Sequence, residues 1–380
     1  MAQDVKQAAL ELHETLRGKI RIEPTCKIES KEDLTLIYTP GVGAVSQAIA
    51  ADPSAVDRYT WRKNTVAIVS DGSAVLGLGD IGPLAVLPVL EGKSAIFKRF
   101  SGIDAIPLII DTKDVDAFVD TVAHVAQSFG AIQMEDVSAP RCFEIERKLM
   151  ERLDMPVMHD DQHGTAIVVL AGLINALKVT SRNVEGLKVV LNGAGAAGIA
   201  IARLLVDAGV KDLVMCDRTG AIYEGRDSLN DEKKEAAVFT NHEKRSGSLA
   251  EVAVGADVLI GVSAAGAFTV DLVKSMAPNP IVFALANPVP EIDPETAKAA
   301  GVAVLATGRS DYANQVNNAL CYPGLFRGML DSGVKKVTTE IKLRAAKAIA
   351  ESVQDPTAEE IIPSIFQSGL HELVAASIEG

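Results

Sequence analysis

The sequence predicts an α/β protein with two domains, and three observations lead to that prediction. The chain has 380 residues, more than one compact domain usually holds. Short apolar segments typical of buried strands alternate with helical patterns, as in parallel sheets that helices cover on both faces. A glycine-rich loop between one such strand and the next helix marks the second domain. The boundary is predicted between residues 163 and 164.

The first domain, residues 1–163, opens with an amphipathic helical pattern over residues 1–20 and an irregular stretch with Pro24 and Pro40. Helices are predicted over 114–129 and 142–153, and an apolar helix over 164–177 is expected to bridge the two domains. Strands are predicted at the apolar segments TVAIVSD, SAIFKRF, AIPLIID, AIQMED and MPVMHDD.

The second domain, residues 164–380, repeats the alternation more regularly. The segments LKVVLN and KDLVMCD are typical of strands and flank the helical pattern IAIARLLVDAG. A polar stretch occupies residues 218–244, and the chain is helical in pattern from Asn314 onward. Further strands are predicted at ADVLIGVS, PIVFALAN and VAVLATG. This order predicts a Rossmann-type doubly wound sheet followed by C-terminal helices.

Composition excludes several classes of partner. The formal charge of −13 argues against nucleic acid, which requires a basic surface, but not against an anionic small molecule. The four cysteines are scattered and form no CxxC pair, so neither structural zinc nor a disulfide framework is predicted. Charged residues interrupt the N-terminus, and the longest apolar stretch, Ala166–Leu177, is too short to span a bilayer. We therefore expect a cytoplasmic protein that binds neither nucleic acid nor membrane.

Two loops match the pattern G-x-G-x-x-G, and their contexts differ. Gly77, Gly79 and Gly82 are followed by Pro83 and Pro88, which predicts a tight turn rather than a helix. The second loop follows an apolar strand and opens a proline-free helix, whose N-terminus favours an anion. It is the predicted dinucleotide loop, formed by Gly193, Ala194, Gly195, Ala196, Ala197 and Gly198.

Asp217 ends the next strand, about 20 residues beyond the loop, where a ribose-binding acid is expected. An acid there accepts hydrogen bonds from the ribose hydroxyls and repels a 2′-phosphate, which favours NAD. Arg218 follows directly and would instead pair with that phosphate. The preference is therefore for NAD, with NADP as the alternative.

Two pairs of acids, Glu135-Asp136 and Asp160-Asp161, follow predicted strands of the first domain. Hard cations such as Mg²⁺ and Mn²⁺ prefer carboxylate oxygens, and α/β folds bind ligands at strand C-termini. Adjacent residues of a strand point to opposite faces, so each pair converges only if the backbone leaves the strand there. The alternative is helix capping, for instance by Asp136 and Ser138.

His159 and His163 flank the second acidic pair at a spacing that resembles a zinc motif. The segment HDDQH lacks the H-E-x-x-H arrangement, and no cysteine or third histidine is near in sequence. Capping or hydrogen bonding is the favoured role for both.

Four other polar residues are candidates for catalysis or binding. Tyr38 lies in the turn-rich segment LIYTPGVG, and Lys93 lies at the entry to a predicted apolar strand. A packed tyrosine and a solvated lysine are the alternatives. To act as a base Lys93 must be neutral near pH 7, which requires a pKa lowered by roughly 3 units, attainable by burial and a nearby cation. Asn287 and Asn318 lie at predicted loop positions, with turn formation as the alternative.

These segments together resemble the malic enzymes, specifically the short prokaryotic type. The resemblance extends in order over essentially the whole chain. It rests on the segments LIYTPGVG, SDGSAVLGLGDIG, GKSAIF, MEDVSAPRCFEIE, HDDQHGTA, NGAGAAGIA, FALANPVPEI and the Asn317-Asn318 pair before CYPG.

The resemblance implies oxidative decarboxylation of L-malate to pyruvate and CO₂, with NAD or NADP reduced and Mg²⁺ or Mn²⁺ required. It implies that Lys93 takes the hydroxyl proton and that Tyr38 protonates carbon 3. It also implies that Asn287 contacts cofactor and substrate, that Asn318 contacts substrate, and that the chain is a homodimer. The implied metal ligands are Glu135, Asp136 and Asp161, which leaves Asp160 as a neighbouring or capping residue.

One departure from the family pattern concerns substrate binding. Longer members carry an arginine after the DG of the DGxxxLGLGD loop, whereas this chain has Asp71-Gly72-Ser73-Ala74. Arg99 and Arg309 are candidate replacements for binding the substrate carboxylate. Two other functions stay open: malolactic conversion with retained NAD, and a non-catalytic protein that senses NAD.

Overall fold

The computed structural model describes residues 2–75 and 77–379 and contains two sheets with helices packed on both faces. The strands are β1 (Thr65–Ser70), β2 (Asp104–Ile109), β3 (Ala131–Met134), β4 (Val157–His159), β5 (Lys188–Asn192), β6 (Asp212–Asp217), β7 (Gly220–Ala221), β8 (Val258–Gly261), β9 (Ile281–Ala284) and β10 (Val304–Thr307). The helices are α1 (Ala2–Leu16), α2 (Lys31–Ile37), α3 (Val42–Ala51), α4 (Val56–Tyr59), α5 (Pro83–Ser101), α6 (Val115–Val125), α7 (Arg141–Arg152), α8 (Asp160–Val179), α9 (Ala196–Asp207), α10 (Asp231–Phe239), α11 (Leu249–Val252), α12 (Val270–Ser275), α13 (Pro294–Ala299), α14 (Tyr322–Ser332), α15 (Thr339–Glu351) and α16 (Leu370–Glu379).

The first sheet has the order β2-β1-β3-β4, and all of its strands are parallel. Its strands are short and apolar, and β1 and β3 are fully buried because α5 and α6 with α7 cover the two faces. The register aligns Val69 with Met134 and Met134 with His159. The residues that follow β3 and β4 therefore leave the sheet at the same edge.

The second sheet has the order β10-β9-β8-β5-β6-β7 and is parallel except for the short strand β7. The chain runs outward from β5 to β6 and then returns to the other side of β5 with β8, β9 and β10. The strand order thus reverses between β5 and β8, where doubly wound sheets bind their ligands. This arrangement confirms the predicted two-domain α/β fold with a Rossmann-type sheet.

Helix α8 links the two sheets. It begins directly after β4 and packs against α9 and α15 beside the second sheet. Its middle is apolar on all sides and buried, as predicted for residues 164–177, although the helix starts four residues earlier, at Asp160. The predicted domain boundary at 163/164 therefore falls inside this helix.

Two helical stretches are long and apolar enough to cross a membrane by length and composition alone. One is α8, which is mostly buried inside the protein and is a core helix. The other runs over Lys31–Ala51, close to the N-terminus, and consists of α2 and α3 with a break at Tyr38–Gly41. Both features are weak evidence for a membrane span.

The N-terminal segment, defined here as residues 2–52, packs loosely against the rest of the chain. Its apolar side chains are largely exposed, among them Leu10, Ile22, Leu36 and Tyr38. Neither α2 nor α3 has a buried residue. Its contacts with the body include Lys19, whose backbone N–H and ammonium group bind α5.

The segment SAIFKRF is helical rather than the predicted strand. It forms the second half of α5, which starts at Pro83 and continues through Pro88. Pro83 occupies the first turn, where its missing N–H has no intrahelical partner to lose. The prediction that these prolines exclude a helix was wrong, because burial of Val86, Leu90 and Phe97 on one face outweighs the hydrogen bond lost at Pro88.

Candidate active site

Three carboxylates converge at the C-terminal edge of the first sheet. One oxygen each from Glu135, Asp136 and Asp161 lies within 4.8 Å of the other two. Glu135 and Asp136 follow β3, whereas Asp161 stands in the first turn of α8, directly after β4. The aligned ends of β3 and β4 bring the two acidic pairs together.

The backbone leaves the strand at Asp136, which is the condition for its carboxylate to join that of Glu135. Glu135 still donates its N–H to Val69 of β1 at 3.0 Å. Asp136 has φ 52°, in the left-handed region that aspartate tolerates better than most residues. Its N–H donates to Oδ2 of Asp161 at 2.8 Å, which fixes the two carboxylates relative to each other.

The carboxylate of Asp136 is buried and has no hydrogen-bonding or charged partner among the described residues. An unpaired buried charge is strongly unfavourable. An all-oxygen donor set of three carboxylates fits a hard divalent cation such as Mg²⁺ or Mn²⁺.

Lys93 projects from α5 into this group of acids. Its ammonium nitrogen lies 2.5 Å from Oδ2 of Asp160 and 3.1 Å from Oε1 of Glu135. It also lies 4.6 Å from the centroid of the Tyr322 ring, and 3.5 Å from Oδ1 of Asn318. The lysine is 8 % exposed, so it is a buried member of the site and neither at a strand entry nor solvated.

Burial and mutual repulsion change the protonation of the acids. Burial, followed by the charge of Asp161, raises the pKa of Asp136 to about 7. Burial also raises the pKa of Asp160 and of Glu135. For Lys93, burial would lower the pKa, but the carboxylates of Asp160 and Glu135 outweigh it and raise the pKa. The lysine is therefore charged in the protein without a cation, in contrast to the neutral base that the sequence analysis requires.

Gly164 makes room for Asp160. A side chain at this position, one helical turn after Asp160, would collide with Oδ1 of Asp160, and it would also meet Asn318 at 3.1 Å. Glycine here keeps the Asp160 carboxylate on the face of α8 that meets Lys93.

A hydrogen-bond chain extends from Asp161 into the protein. His159 lies with Nε2 3.0 Å from Oδ2 of Asp161 and Nδ1 3.0 Å from Nε2 of Gln162. Gln162 also donates to Glu146 at 3.0 Å, and Glu146 accepts from His163. Although burial alone would raise it, the charge and hydrogen bond of His163 lower the pKa of Glu146 to about 2. Both histidines thus form hydrogen bonds, the role favoured by the sequence analysis over zinc binding.

The glycine-rich loop 193–198 joins β5 to α9 at the reversal of strand order. Gly193 has φ 127°, and a side chain there would meet the Val262 backbone at 2.7 Å. A side chain at Gly198 would collide with the Gly193 carbonyl, whereas the position of Gly195 opens into free space. Within the part of the chain that the structure describes, no side chain caps the N-terminus of α9, so its first amides are available to an anion. Ala194, Ala196 and Ala197 complete this loop, which fits a dinucleotide pyrophosphate.

The first glycine loop is a turn, as the sequence predicts, and it has a packing role. A side chain at Gly77 would meet the carbonyl oxygen of Asn287 at 2.5 Å, so the loop lies against the backbone that follows β9. Leu76 of this loop lies outside the described residues.

The predicted substrate residues are distributed unevenly. Asn318 lies beside Lys93, whereas Asn287 follows β9 and approaches Gly308 after β10. Arg309 stands near Asn287 but forms an ion pair with Asp311, and Arg99 lies over the Phe100 ring. Neither arginine contacts the carboxylates.

Tyr38 is not part of this group within one chain. Its side chain is 66 % exposed and lies in the break between α2 and α3. Among the described residues it forms no side-chain hydrogen bond or ion pair, and nothing links it to Lys93. The group of residues around Lys93 therefore does not include Tyr38, the predicted acid.

Three further residues at this site were missed or underrated in the sequence. Asp160 is the partner of Lys93, Tyr322 lies against the ammonium group, and Arg141 pairs with Asp71 and donates to Ser73 at 3.0 Å. Arg141 thus supplies a positive charge beside the loop that lacks the family arginine. All three belong to segments that carry the family resemblance, which is the signal that could have found them.

A buried lysine beside convergent carboxylates, in a chain with a Rossmann-type sheet and a glycine-rich loop, is typical of a nicotinamide-dependent oxidoreductase. The family described as "Malic enzyme, N-terminal domain" matches residues 17–150, and that described as "Malic enzyme, NAD binding domain" matches residues 162–375. The chain belongs to the malic enzyme family.

The chain is similar to malic enzymes from several bacteria. The chain is 53% identical to the NAD-dependent malic enzyme of Geobacillus stearothermophilus, over 95% of this chain and 76% of that one. It is 50% identical to the bifunctional malic/malolactic enzyme of Bacillus subtilis, over 98% and 92%. It is 48% identical to the NADP-dependent malic enzyme of Haemophilus influenzae, over 96% of this chain but 48% of that longer one. The crystal structure of the NAD-dependent malic enzyme from Thermotoga maritima superposes with a TM-score of 0.95 at 47% identity, covering 98% of this chain and 99% of that chain.

Proposed function

We propose that the protein catalyses the oxidative decarboxylation of L-malate to pyruvate and CO₂ with reduction of NAD or NADP, and that it depends on Mg²⁺ or Mn²⁺. The observation that carries the proposal is Lys93, buried against Asp160 and next to the three convergent carboxylates. A protein that only senses NAD has no use for this arrangement. The four free cysteines agree with a reducing, cytoplasmic location.

The proposed ligands of the cation are Glu135, Asp136 and Asp161. The proposed cofactor site is the loop 193–198 with Arg218, which follows Asp217 at the end of β6. When bound, the cation would stabilise negative charge on the C2 oxygen of the substrate, and the nicotinamide would accept the hydride from C2. The net charge of the acidic cluster is lower once a cation is bound, which weakens the hold of the carboxylates on the Lys93 proton.

Lys93 is proposed as the base for the first step. It transfers its proton to Asp160, 2.5 Å away, whose raised pKa makes it a competent acceptor. The neutral amine then takes the proton from the C2 hydroxyl while hydride leaves C2, so that malate becomes a 2-keto acid. Asn318, whose Oδ1 lies 3.5 Å from the ammonium nitrogen, is proposed to orient the substrate.

In the second step the C3–C4 bond breaks, CO₂ departs, and the electron pair moves toward the C2 oxygen as an enolate. Protonation of C3 completes pyruvate, and Tyr38 is the proposed acid. Asn287 is proposed to contact cofactor and substrate. Arg141 is proposed for the substrate carboxylate in place of Arg99 or Arg309, because it lies at the Asp71–Ser73 loop, where it pairs with Asp71 and donates to Ser73.

We further propose that the chain acts as a homodimer in which Tyr38 serves the active site of the other subunit. The support is the exposed apolar surface of the N-terminal segment, where Leu10 is 68% and Ile22 81% exposed. Apolar surface of this kind marks an interface. A second copy of the chain would bury that surface and supply the tyrosine that the site lacks within one subunit.

Complementation tests this arrangement. The variants Tyr38→Phe and Lys93→Ala are each expected to be inactive, and a mixed dimer of the two should regain activity because one site then combines an intact lysine with an intact tyrosine. A mixture that stays inactive, with mixed dimers verified by two affinity tags, would show that both residues act within one chain.

The activity itself is tested by following NADH and NADPH formation at 340 nm with L-malate, with and without Mn²⁺, while pyruvate and lactate are assayed. We expect pyruvate in equal amounts to reduced cofactor, and none with EDTA. Lactate without net cofactor reduction would instead establish the malolactic reaction, which is considered because of the bifunctional relative. Unchanged reduction in EDTA would refute the metal requirement.

A further inference from the structure

Asp217 has no free hydrogen-bonding capacity for a ribose. Its Oδ2 accepts from Arg226 at 2.6 Å and from Lys233 at 2.7 Å. Its Oδ1 accepts from the N–H and the hydroxyl of Thr219, at 3.0 Å and 2.9 Å. A carboxylate offers about four lone-pair sites, and here the chain itself occupies all of them. The ribose hydroxyls can bind Asp217 only by displacing one of these donors.

The two basic side chains that bind Asp217 differ in how many other hydrogen bonds hold them. Arg226 is fixed, since it also donates to the carbonyls of Gly220 and Ala221 at 3.0 Å and 2.9 Å. Lys233 reaches Asp217 from the first turn of α10, and its ammonium group has no other partner among the described residues. Its side chain is 25% exposed, against 14% for Arg226. Lys233 is therefore the donor that can turn to a ligand.

Three cationic side chains contact Asp217 or directly follow it in the chain: Arg226, Lys233 and Arg218. Arg218 follows it directly, is exposed, and has no ion pair among the described residues. Nearby acids are paired elsewhere, Glu224 with Lys244 and Asp231 with Lys234. Among the other acids of residues 218–244, Glu235 pairs with Arg203 and Glu243 with Arg245. Asp227 is exposed, and Glu232 lines the cavity toward α7 and α9.

We propose that Lys233 and Arg218 form a binding site for the 2′-phosphate of NADP, and that the protein prefers NADP to NAD. The inference rests on the proposed function, and it reverses the preference for NAD drawn from the acid at the end of β6. Asp217 is then a positioning residue that holds Arg226 and Lys233, rather than a ligand of the ribose.

The chemistry of a phosphate monoester suits this group of residues. It carries close to two negative charges near neutral pH and accepts several charge-assisted hydrogen bonds. When Lys233 turns to the phosphate, Asp217 keeps Arg226 and both donors of Thr219, so no buried charge is left alone. NAD offers no comparable partner for Lys233 and Arg218.

The test measures binding of 2′,5′-ADP and 5′-AMP by calorimetry without malate, and kcat/KM for NADP and NAD with malate and Mn²⁺. We expect 2′,5′-ADP to bind at least tenfold more tightly than 5′-AMP. Lys233→Ala should lower the ratio of NADP to NAD efficiency about tenfold, the size of one charge-assisted hydrogen bond. Lys233→Arg should largely keep the ratio, and the matched control Lys234→Ala, one position away on α10, should keep it fully.

Equal binding of the two nucleotides, or equal ratios for Lys233→Ala and Lys234→Ala, would overturn the proposal. These results are distinguishable from failure of the proposed function. A protein that reduces NAD but not NADP refutes only the 2′-phosphate site. A protein that reduces neither refutes the activity, while calorimetry still decides whether the phosphate site exists.

Discussion

The carboxylate cluster and the N-terminal segment each hold one of the two residues expected to move protons, and their surroundings are opposite. Lys93 is 8% exposed and fixed by two carboxylates, whereas Tyr38 is 66% exposed and has no side-chain hydrogen bond among the described residues. The cluster is assembled by the parallel register of one chain. The N-terminal segment, by contrast, has apolar side chains that are exposed in the single chain. Lys93 and its partners are thus brought together within one chain, whereas the role of Tyr38 depends on the proposed second copy of the chain.

Substitution of Lys93, the buried residue of the two, should have the largest effect on turnover. Lys93→Ala is expected to lower kcat for malate oxidation by about 1000-fold or more, as for loss of a general base. Lys98→Ala is the matched control, because Lys98 lies on the same helix and pairs on the surface with Asp104. Circular dichroism and thermal unfolding verify that both variants fold. Activity within tenfold of the wild type would exclude Lys93 as the base.

Substitution of Tyr38, the exposed residue of the two, should lower turnover without changing the fold. Tyr38→Phe is expected to reduce pyruvate formation by roughly 100-fold or more while the Tm stays within about 1 °C, because an exposed hydroxyl contributes little to stability. Tyr59→Phe, another exposed tyrosine, serves as the control. Near-normal pyruvate formation by Tyr38→Phe would mean that another group protonates C3.

A third test asks how far the rigidity of the cluster depends on its hydrogen-bond chain. His159→Phe removes the nitrogen 3.0 Å from Asp161 while filling the space, and should weaken Mn²⁺ binding about 10- to 100-fold. His159→Gln, which keeps a donor, should recover part of that affinity. Binding is measured by calorimetry. If both variants bind Mn²⁺ like the wild type, His159 does not position Asp161.

The smallest expected effect is a pH dependence of metal binding. The pKa of Asp136 is raised to about 7 without a cation, so the folded protein holds a proton there that the unfolded chain releases near pH 4. The contribution of Asp136 to the stability of the metal-free protein should therefore fall as pH rises from about 4 to about 7. Mn²⁺ must displace this proton, so its affinity should fall by up to about tenfold per unit below pH 7. An increase of Tm by Mn²⁺ that is equal at pH 5.5 and pH 8 would contradict this.

The sequence predicted the two helix-covered sheets and the convergence of the acidic residues, because both depend on local sequence pattern. Continuous apolar strands and a glycine loop are short-range signals, and the acids stand directly at strand ends. The segment SAIFKRF was misassigned since an apolar run has the same appearance in a buried helix and a buried strand. Only packing of α5 over the sheet distinguishes the two.

Other features depend on contacts between distant residues, which no local pattern contains. The pairing of Lys93 with Asp160 joins residues 67 positions apart and requires α8 to begin one residue after β4. The donors that occupy Asp217 come from a polar stretch without periodicity. The sequence analysis required a neutral Lys93, whereas the pairing with Asp160 raises its pKa and keeps it charged. Because the pairing could not be read from the sequence, neither could this charge.

The course of α8 limits how this protein can be recombined. Asp160 and Asp161 fall in the gap between the two matched family regions, which end at residue 150 and begin at residue 162. The helix that carries these acids runs about 30 Å into the core of the cofactor-binding half. A chimera that exchanged one half with a homologue at residue 163 would cut the first turn of α8 from its body. Crossovers that preserve function should therefore fall before β4, so that strand, acids and helix are inherited as one piece.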